Sequence, residues 1–269
     1  MPIAGTVLPK GKVQIVGTVS GSINTGVAIG GTRAYVHNGI FVTPELTIDA
    51  MATSLAATAT SLDGMTASAG VAISVSPAEP DAALTTATPV GFSPLPVKFR
   101  LGVNNGLALQ TVTVDFDGNG SADYTGTTAG DLPTFTYPAP GTYTATATLT
   151  VAGQNDLVVR HRIVALALAD QRTLICSTYA HLRARLIAQD ASGAGHALMG
   201  ALKSRLLPMF NALGNRMPGV AANLGTLADG LIGIDTADIV AVRDVTGELR
   251  GYPIHFARDL QGVWRIDSM

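Results

Sequence analysis

Asp115-Phe-Asp-Gly-Asn-Gly-Ser-Ala-Asp-Tyr124, followed by Tyr137-Pro-Ala-Pro-Gly-Thr-Tyr-Thr-Ala-Thr-Ala-Thr-Leu-Thr-Val151, decides the reading of this chain. After its Pro-Gly turn the second stretch alternates with period two, the mark of a strand buried on one face. In the first stretch, carboxylates and an amide at alternate positions point hard oxygens toward one centre, and Gly118 and Gly120 permit the sharp turn that this requires. Thr111-Val-Thr-Val114 before the loop and the Tyr-rich strand after it place it between β-strands. A Gly-rich hairpin whose acids are merely solvated has the same composition.

The loop resembles the short calcium loops written D-x-D-G-[DN]-G-x-x-D. That resemblance implies Ca2+ as cofactor, with side-chain oxygens from Asp115, Asp117, Asn119 and Asp123 and the backbone carbonyl of Ser121 as ligands. The twelfth position is Gly126, where an EF-hand needs a bidentate Glu, and strands rather than helices flank the loop, so an EF-hand is not expected. The expected affinity is weak, about 10⁻⁴–10⁻³ M as in extracellular modules.

Outward from the loop, period-two runs at Pro96–Leu101, Leu109–Asp115, Thr134–Tyr137, Gly141–Val151 and Val158–Val164 predict an antiparallel sandwich over residues 77–168. The order Asp-Phe-Asp-Gly, Phe-Thr-Tyr, Pro-Gly-Thr-Tyr, Leu-Thr-Val is similar to polycystic-kidney-disease (PKD) repeats, with Tyr137 and Tyr143 in the places of the aromatics that pack the core. The Trp usual before the acidic loop is absent. The resemblance implies a spacer or adhesive module and brings no catalytic residues. Upstream, Pro77-Ala-Glu-Pro80 reads as an extended connector between domains.

Residues 1–76 hold short alternating runs such as Lys12–Val19, Ala34-Tyr-Val-His37 and Ile40-Phe-Val-Thr43, split by Gly-Gly and Asn-Gly pairs. Asn38-Gly39 reads as a tight turn. This block looks like the immunoglobulin-like domains appended to bacterial surface proteins and carbohydrate-active enzymes, so two tandem Ig-like sandwiches are expected.

Residues 169–269 change period. Leu174, Thr178, Leu182 and Leu186 recur every fourth position, predicting an amphipathic helix capped by Asp170 and stopped at Ser192-Gly193. Further helices are expected over about 196–213, with Pro208 bending it, and about 218–229. Runs at Leu231–Ile234, Asp238–Arg243, Tyr252–Ala257 and Gly262–Asp267 then read as strands, giving an α+β domain with helices on one face of an antiparallel meander. The ending Phe256-Ala-Arg-Asp-Leu-Gln-Gly-Val-Trp-Arg-Ile266 resembles the last hairpin of cystatin-like or nuclear-transport-factor-like cones, which hold an enzyme pocket, bind a peptide, or do neither. In that hairpin His255 faces away from Ile254 and Phe256, toward solvent, and Trp264 reads as a core anchor.

Composition narrows the functions. The 269 residues carry a net charge of −2 with 13% charged residues, which disfavours nucleic acid and membrane surfaces as partners. Residues 1–160 hold 6 basic and 10 acidic residues and residues 161–269 hold 11 and 9, a change that marks a boundary. Cys176 is the only cysteine, so disulfides and Cys-based zinc sites are excluded, and in the run Leu174-Ile-Cys176 it reads as a core residue. Ser177 has His181 one turn away but no acid, Gly26–Gly31 lacks a Gly-Lys-Ser/Thr, and Arg160-His-Arg162 is too small for a nucleic-acid face. No catalytic residues are expected. With no signal peptide or membrane-spanning run, the Thr/Ala/Val/Gly-rich composition points to an extracellular or cell-surface piece of a larger exported bacterial protein. Its partner would be a protein or surface glycan. The competing readings are a carbohydrate-binding accessory module, which 5% aromatics serve poorly, and a small cone-type enzyme.

Overall fold

A computed structural model describes residues 2–104 and 107–269. The chain forms two compact units: Met1–Val19, Ala34–Ala56 and Ala69–Ala167 make the first, and Ser20–Arg33, Ala57–Ser68 and Leu168–Met269 the second. The expected third block therefore begins one residue from a unit boundary. The expected tandem arrangement of sandwiches is not confirmed: residues 1–76 are divided between the two units, and no unit boundary falls at Pro77–Pro80. Residues 1–76 bury apolar side chains in both units, among them Val13, Ile15, Phe41 and Val42 in the first and Val27 and Ile29 in the second.

The first unit is built on a sandwich over residues 82–166. One sheet orders Ala82–Thr86, Leu95–Val103 and Gly130–Tyr137; the other orders Val90–Phe92, Leu157–Leu166, Gly141–Val151, Leu109–Asp115 and Tyr124–Gly126. Val90–Phe92 runs parallel to Leu157–Leu166 and the other pairs are antiparallel. The chain thus crosses repeatedly between two facing sheets, staying in one sheet only for the pairs Leu109–Asp115 with Tyr124–Gly126 and Gly141–Val151 with Leu157–Leu166, the connectivity of an immunoglobulin-like sandwich. Leu95, Val97, Phe99 and Leu101 enter the core while Pro96, Lys98 and Arg100 face out, as a two-residue period demands. They meet Val112, Val114, Ala145, Ala147, Leu149 and Ile163 of the opposite sheet. The Tyr143 hydroxyl donates to Ala139 O at 2.8 Å, the tyrosine corner of such sandwiches.

The N-terminal part of this unit consists of short ladders. Thr6–Leu8 runs parallel to Ile73–Val75, Lys12–Val13 pairs with Leu46–Thr47, and Ile40–Val42 lies between Val16–Thr18 and Tyr35–His37. Asn38 and Gly39, both with positive φ (48° and 75°), form the expected tight turn. The Gln14 carboxamide closes on Arg162, donating to its carbonyl (3.1 Å) and accepting from its N–H (2.7 Å).

The second unit packs helices on a four-stranded antiparallel meander, Thr226–Ile232, Thr236–Val245, Glu248–Arg258 and Trp264–Ser268. Helix α1 (Leu168–Ile187) buries Ile175, Thr178, Tyr179, Leu182 and Leu186, and α3 (Gly200–Leu213) buries Leu202 and Phe210, against Ile239, Ile254, Phe256 and Trp264. Between them lies the single turn α2 (Ala191–Ala194), capped by Asp190. No described helix is long and apolar enough to cross a membrane.

Several expected helix details are corrected. Asp170 lies in the first turn of α1 rather than at its cap, and the chain leaves α1 at Ile187, before Ser192-Gly193. The final helix α4 spans Met217–Asn223 only; from Thr226 onward pairing with Thr236–Val245 overrides helical propensity. Cys176 is exposed, because a helix turns about 100° per residue and carries it away from buried Ile175.

Residues 20–33 join this unit through Asn24. Its amide donates to Thr178 Oγ1 (2.9 Å) and Trp264 O (3.0 Å), and its Oδ1 accepts the Trp264 N–H (2.9 Å). Two residues on, a Cβ at Gly26 would stand 2.2 Å from Gln261 O, so only glycine permits this approach.

Candidate functional site

Phe116 organises the acidic loop of the sandwich. Placed between Asp115 and Asp117, it is buried and stacked between Phe99 (5.3 Å between ring centres) and Phe135 (5.1 Å). Its N–H donates to Asp123 Oδ2 at 2.7 Å, and its carbonyl accepts the Tyr137 hydroxyl at 2.8 Å. With Phe116 held inside, the alternation of side chains leaves its two acidic neighbours at the surface. Carboxylate oxygens of Asp115, Asp117 and Asp123 converge within 4.8 Å of one another. Burial first, then the charges of Asp117 and Asp123, push the Tyr137 hydroxyl well above its ordinary pKa.

The loop is closed by its own hydrogen bonds. Asp115 accepts from Gly118 N (2.7 Å) and Gly120 N (2.8 Å), with both glycines at positive φ as the turn requires. Asp117 accepts from the backbone and side-chain amides of Asn119, and Asn119 Oδ1 accepts from Ser121 N. The Asn119 side chain thus also closes the turn beside the three carboxylates. Each carboxylate has about four acceptor directions, so these bonds leave lone pairs free for a hard cation. Three anionic oxygens at this spacing repel one another, and a divalent ion relieves that repulsion. The donor set fits calcium.

In the second unit His255 lies opposite Asp238 across two strands, and their Nδ1 and Oδ1 are 2.8 Å apart on the outer face of the sheet. Sequence reasoning oriented His255 correctly but missed this partner, which cross-strand register supplies. Ser177 and His181 are not brought together as a catalytic pair: Ser177 Oγ donates to Leu174 O, while His181 Nε2 is 3.0 Å from Gly193 O and Nδ1 is 3.4 Å from Asp63. Trp264 is fully buried, as expected. The indole N–H and the Arg258 guanidinium both donate to Gln171 Oε1 (3.2 and 2.6 Å), and that guanidinium lies over the indole ring.

Cavities open in this unit among the described residues. One, of about 190 Å³, lies between Asn223–Leu224 and the sheet residues Ala241, Arg243, Tyr252 and Ile254. Another, of about 440 Å³, is lined by His196, Leu198, Met199, Gly200, Lys203 and Arg265, among others. Burial, together with the charges of Lys203 and Arg265, lowers the His196 pKa. Sequence reading found neither cavity, since residues distant along the chain line both.

No described protein family matches the sequence, and no curated protein matches it. Among solved structures, the chain is similar to the fibronectin(III)-like modules of Clostridium thermocellum CbhA, at 15% identity and TM-score 0.21, covering 62% of this chain and 93% of that one. It is also similar to murine CEACAM1b, at 8% identity and TM-score 0.23, covering 60% and 96%. At these scores the likenesses carry no argument, and the sandwich rests on its own strand connectivity.

Proposed function

We propose that the protein is a non-catalytic structural or adhesive module of an exported bacterial protein, working at the cell surface, with its sandwich stiffened by calcium. The observation that carries this reading is the convergence of Asp115, Asp117 and Asp123 on a loop anchored by Phe116. A rigid sandwich with a cation-braced loop suits spacing or the display of a binding edge to a protein or glycan. The PKD-like sequence order of residues 115–151 supports the same reading. A sugar-stacking role is weakened because the single Trp is buried. The helix-on-meander unit fits a cystatin-like or nuclear-transport-factor-like cone.

Terbium luminescence, sensitised by the nearby Tyr124 and Tyr137, tests the cation site. Emission should rise saturably, be displaced by calcium at about 10⁻⁴–10⁻³ M, and vanish in Asp117→Ala. Asp117 is the cleanest position because it bonds only within the turn, whereas Asp123 also holds the Phe116 N–H. Emission unchanged in Asp117→Ala would remove calcium from the reading.

A further inference from the structure

We propose that the 440 Å³ cavity of the C-terminal unit binds the oxyanion end of a small organic molecule, a phosphate monoester being the group its donors fit best. Its volume falls in the range of small-molecule sites, about 300–1,000 Å³. Charge decides which end of a ligand it takes. Asp259, the one acid in the lining, is already committed: Oδ1 accepts from Gln261 N and Val263 N (both 2.9 Å), and Oδ2 pairs with Arg265 Nε at 2.5 Å. Arg265 also donates to the His196 carbonyl. The Lys203 ammonium, by contrast, has no hydrogen bond or ion pair among the described residues, its backbone N–H alone donating to Met199 O (2.7 Å), and the imidazole of His196 has none either. The lining thus offers an uncompensated ammonium and an unused ring nitrogen, and Asp63, whose charge reaches His196 from outside the lining, is already paired with Arg185 (3.0 Å) and His181 (3.4 Å).

The backbone adds donors at the same place. Helix α3 opens at Gly200 within the lining, its cap Met199 provides no side-chain acceptor, and its first turn contains no acid. Lys203 sits in that first turn, where the helix dipole disfavours a cation. An anion bound there would reverse that penalty and accept from the free N–H groups and the ammonium together. Leu198, Met199 and Leu260 supply apolar wall for the organic part of the ligand.

The test follows the amide signals of Gly200–Leu202 by NMR in the full chain while phenyl phosphate or inorganic phosphate is added. Saturable shifts are expected, with phenyl phosphate the tighter of the two. Lys203→Gln should weaken binding roughly tenfold or more while leaving the melting temperature unchanged. Gly200→Pro removes one N–H donor at a helix position that accepts proline, after a Met199 already extended (φ −69°, ψ 158°), and should weaken binding with α3 intact. Absence of saturable shifts, or equal affinity in wild type and both variants, would overturn the proposal.

Discussion

Asn24 presents its carboxamide to both backbone groups of Trp264, standing in for a strand edge, and Gln14 does the same for Arg162. Replacing Asn24 by Ala orphans the buried Trp264 N–H, leaves Thr178 Oγ1 (3.1 Å) as the remaining side-chain donor to the Trp264 carbonyl, and places a residue less tolerant of positive φ at φ 67°. Asn24→Ala should therefore lower stability by about 2–4 kcal/mol in urea unfolding followed by Trp264 fluorescence. His161 is the second decisive residue. It is buried in the sandwich with Nδ1 on Leu84 O (3.0 Å), an unpartnered Nε2, and Glu45 3.9 Å away. Burial lowers its pKa, so the unfolded chain takes up a proton more readily than the folded one. Its contribution is fully present above the ordinary value near 6.5 and is lost as pH falls toward the lowered folded value. Denaturant midpoints of the sandwich should fall as pH drops below about 6.5, and His161→Gln should flatten that slope. Neither role was legible in the sequence, because partners 77 or 240 positions apart are set by the fold and not by spacing. The acids of the calcium-like loop were legible, since their partners lie within a few residues.

At the scale of elements, alternation located the strands around the acidic loop because each is buried on one face. Phe116 shows what alternation hides: an apolar residue inside an acidic motif that ties the loop to the core. Phe116→Ala should cost about 3–5 kcal/mol and should abolish cation binding along with it, read by thermal unfolding and by terbium emission. Periodicity also found α1 through Thr178, Leu182 and Leu186, but its ends were less legible. Local signals at Asp170 and Ser192 were overruled by packing and by the Asp190 cap of the following turn. Apolar context misplaced Cys176, whose exposure has a simple consequence. The native protein should react with a thiol reagent at a rate close to that of the unfolded chain, whereas a buried thiol would be protected.

At the scale of the molecule, the sequence showed the change of character near residue 168 but not the division of residues 1–76. Short two-residue and three-residue ladders look the same whether they complete one core or two, because the apolar residues they bury, such as Val13 and Phe41 in one unit and Val27 and Ile29 in the other, follow the same pattern. A chain ending at Ala167 should accordingly keep hydrogen-exchange protection in Leu95–Leu166 and lose it in Gly26–Ile29 and Ala57–Thr60, whose unit is then missing most of its residues. Thermal unfolding with and without about 10 mM calcium, in wild type and Asp117→Ala, tests the central reading of a cation-braced sandwich most directly. At roughly 10 to 100 times the dissociation constant, bound calcium should stabilise the wild-type sandwich by about 1.4–2.7 kcal/mol and leave the variant unmoved. A wild-type transition indifferent to calcium would contradict the account.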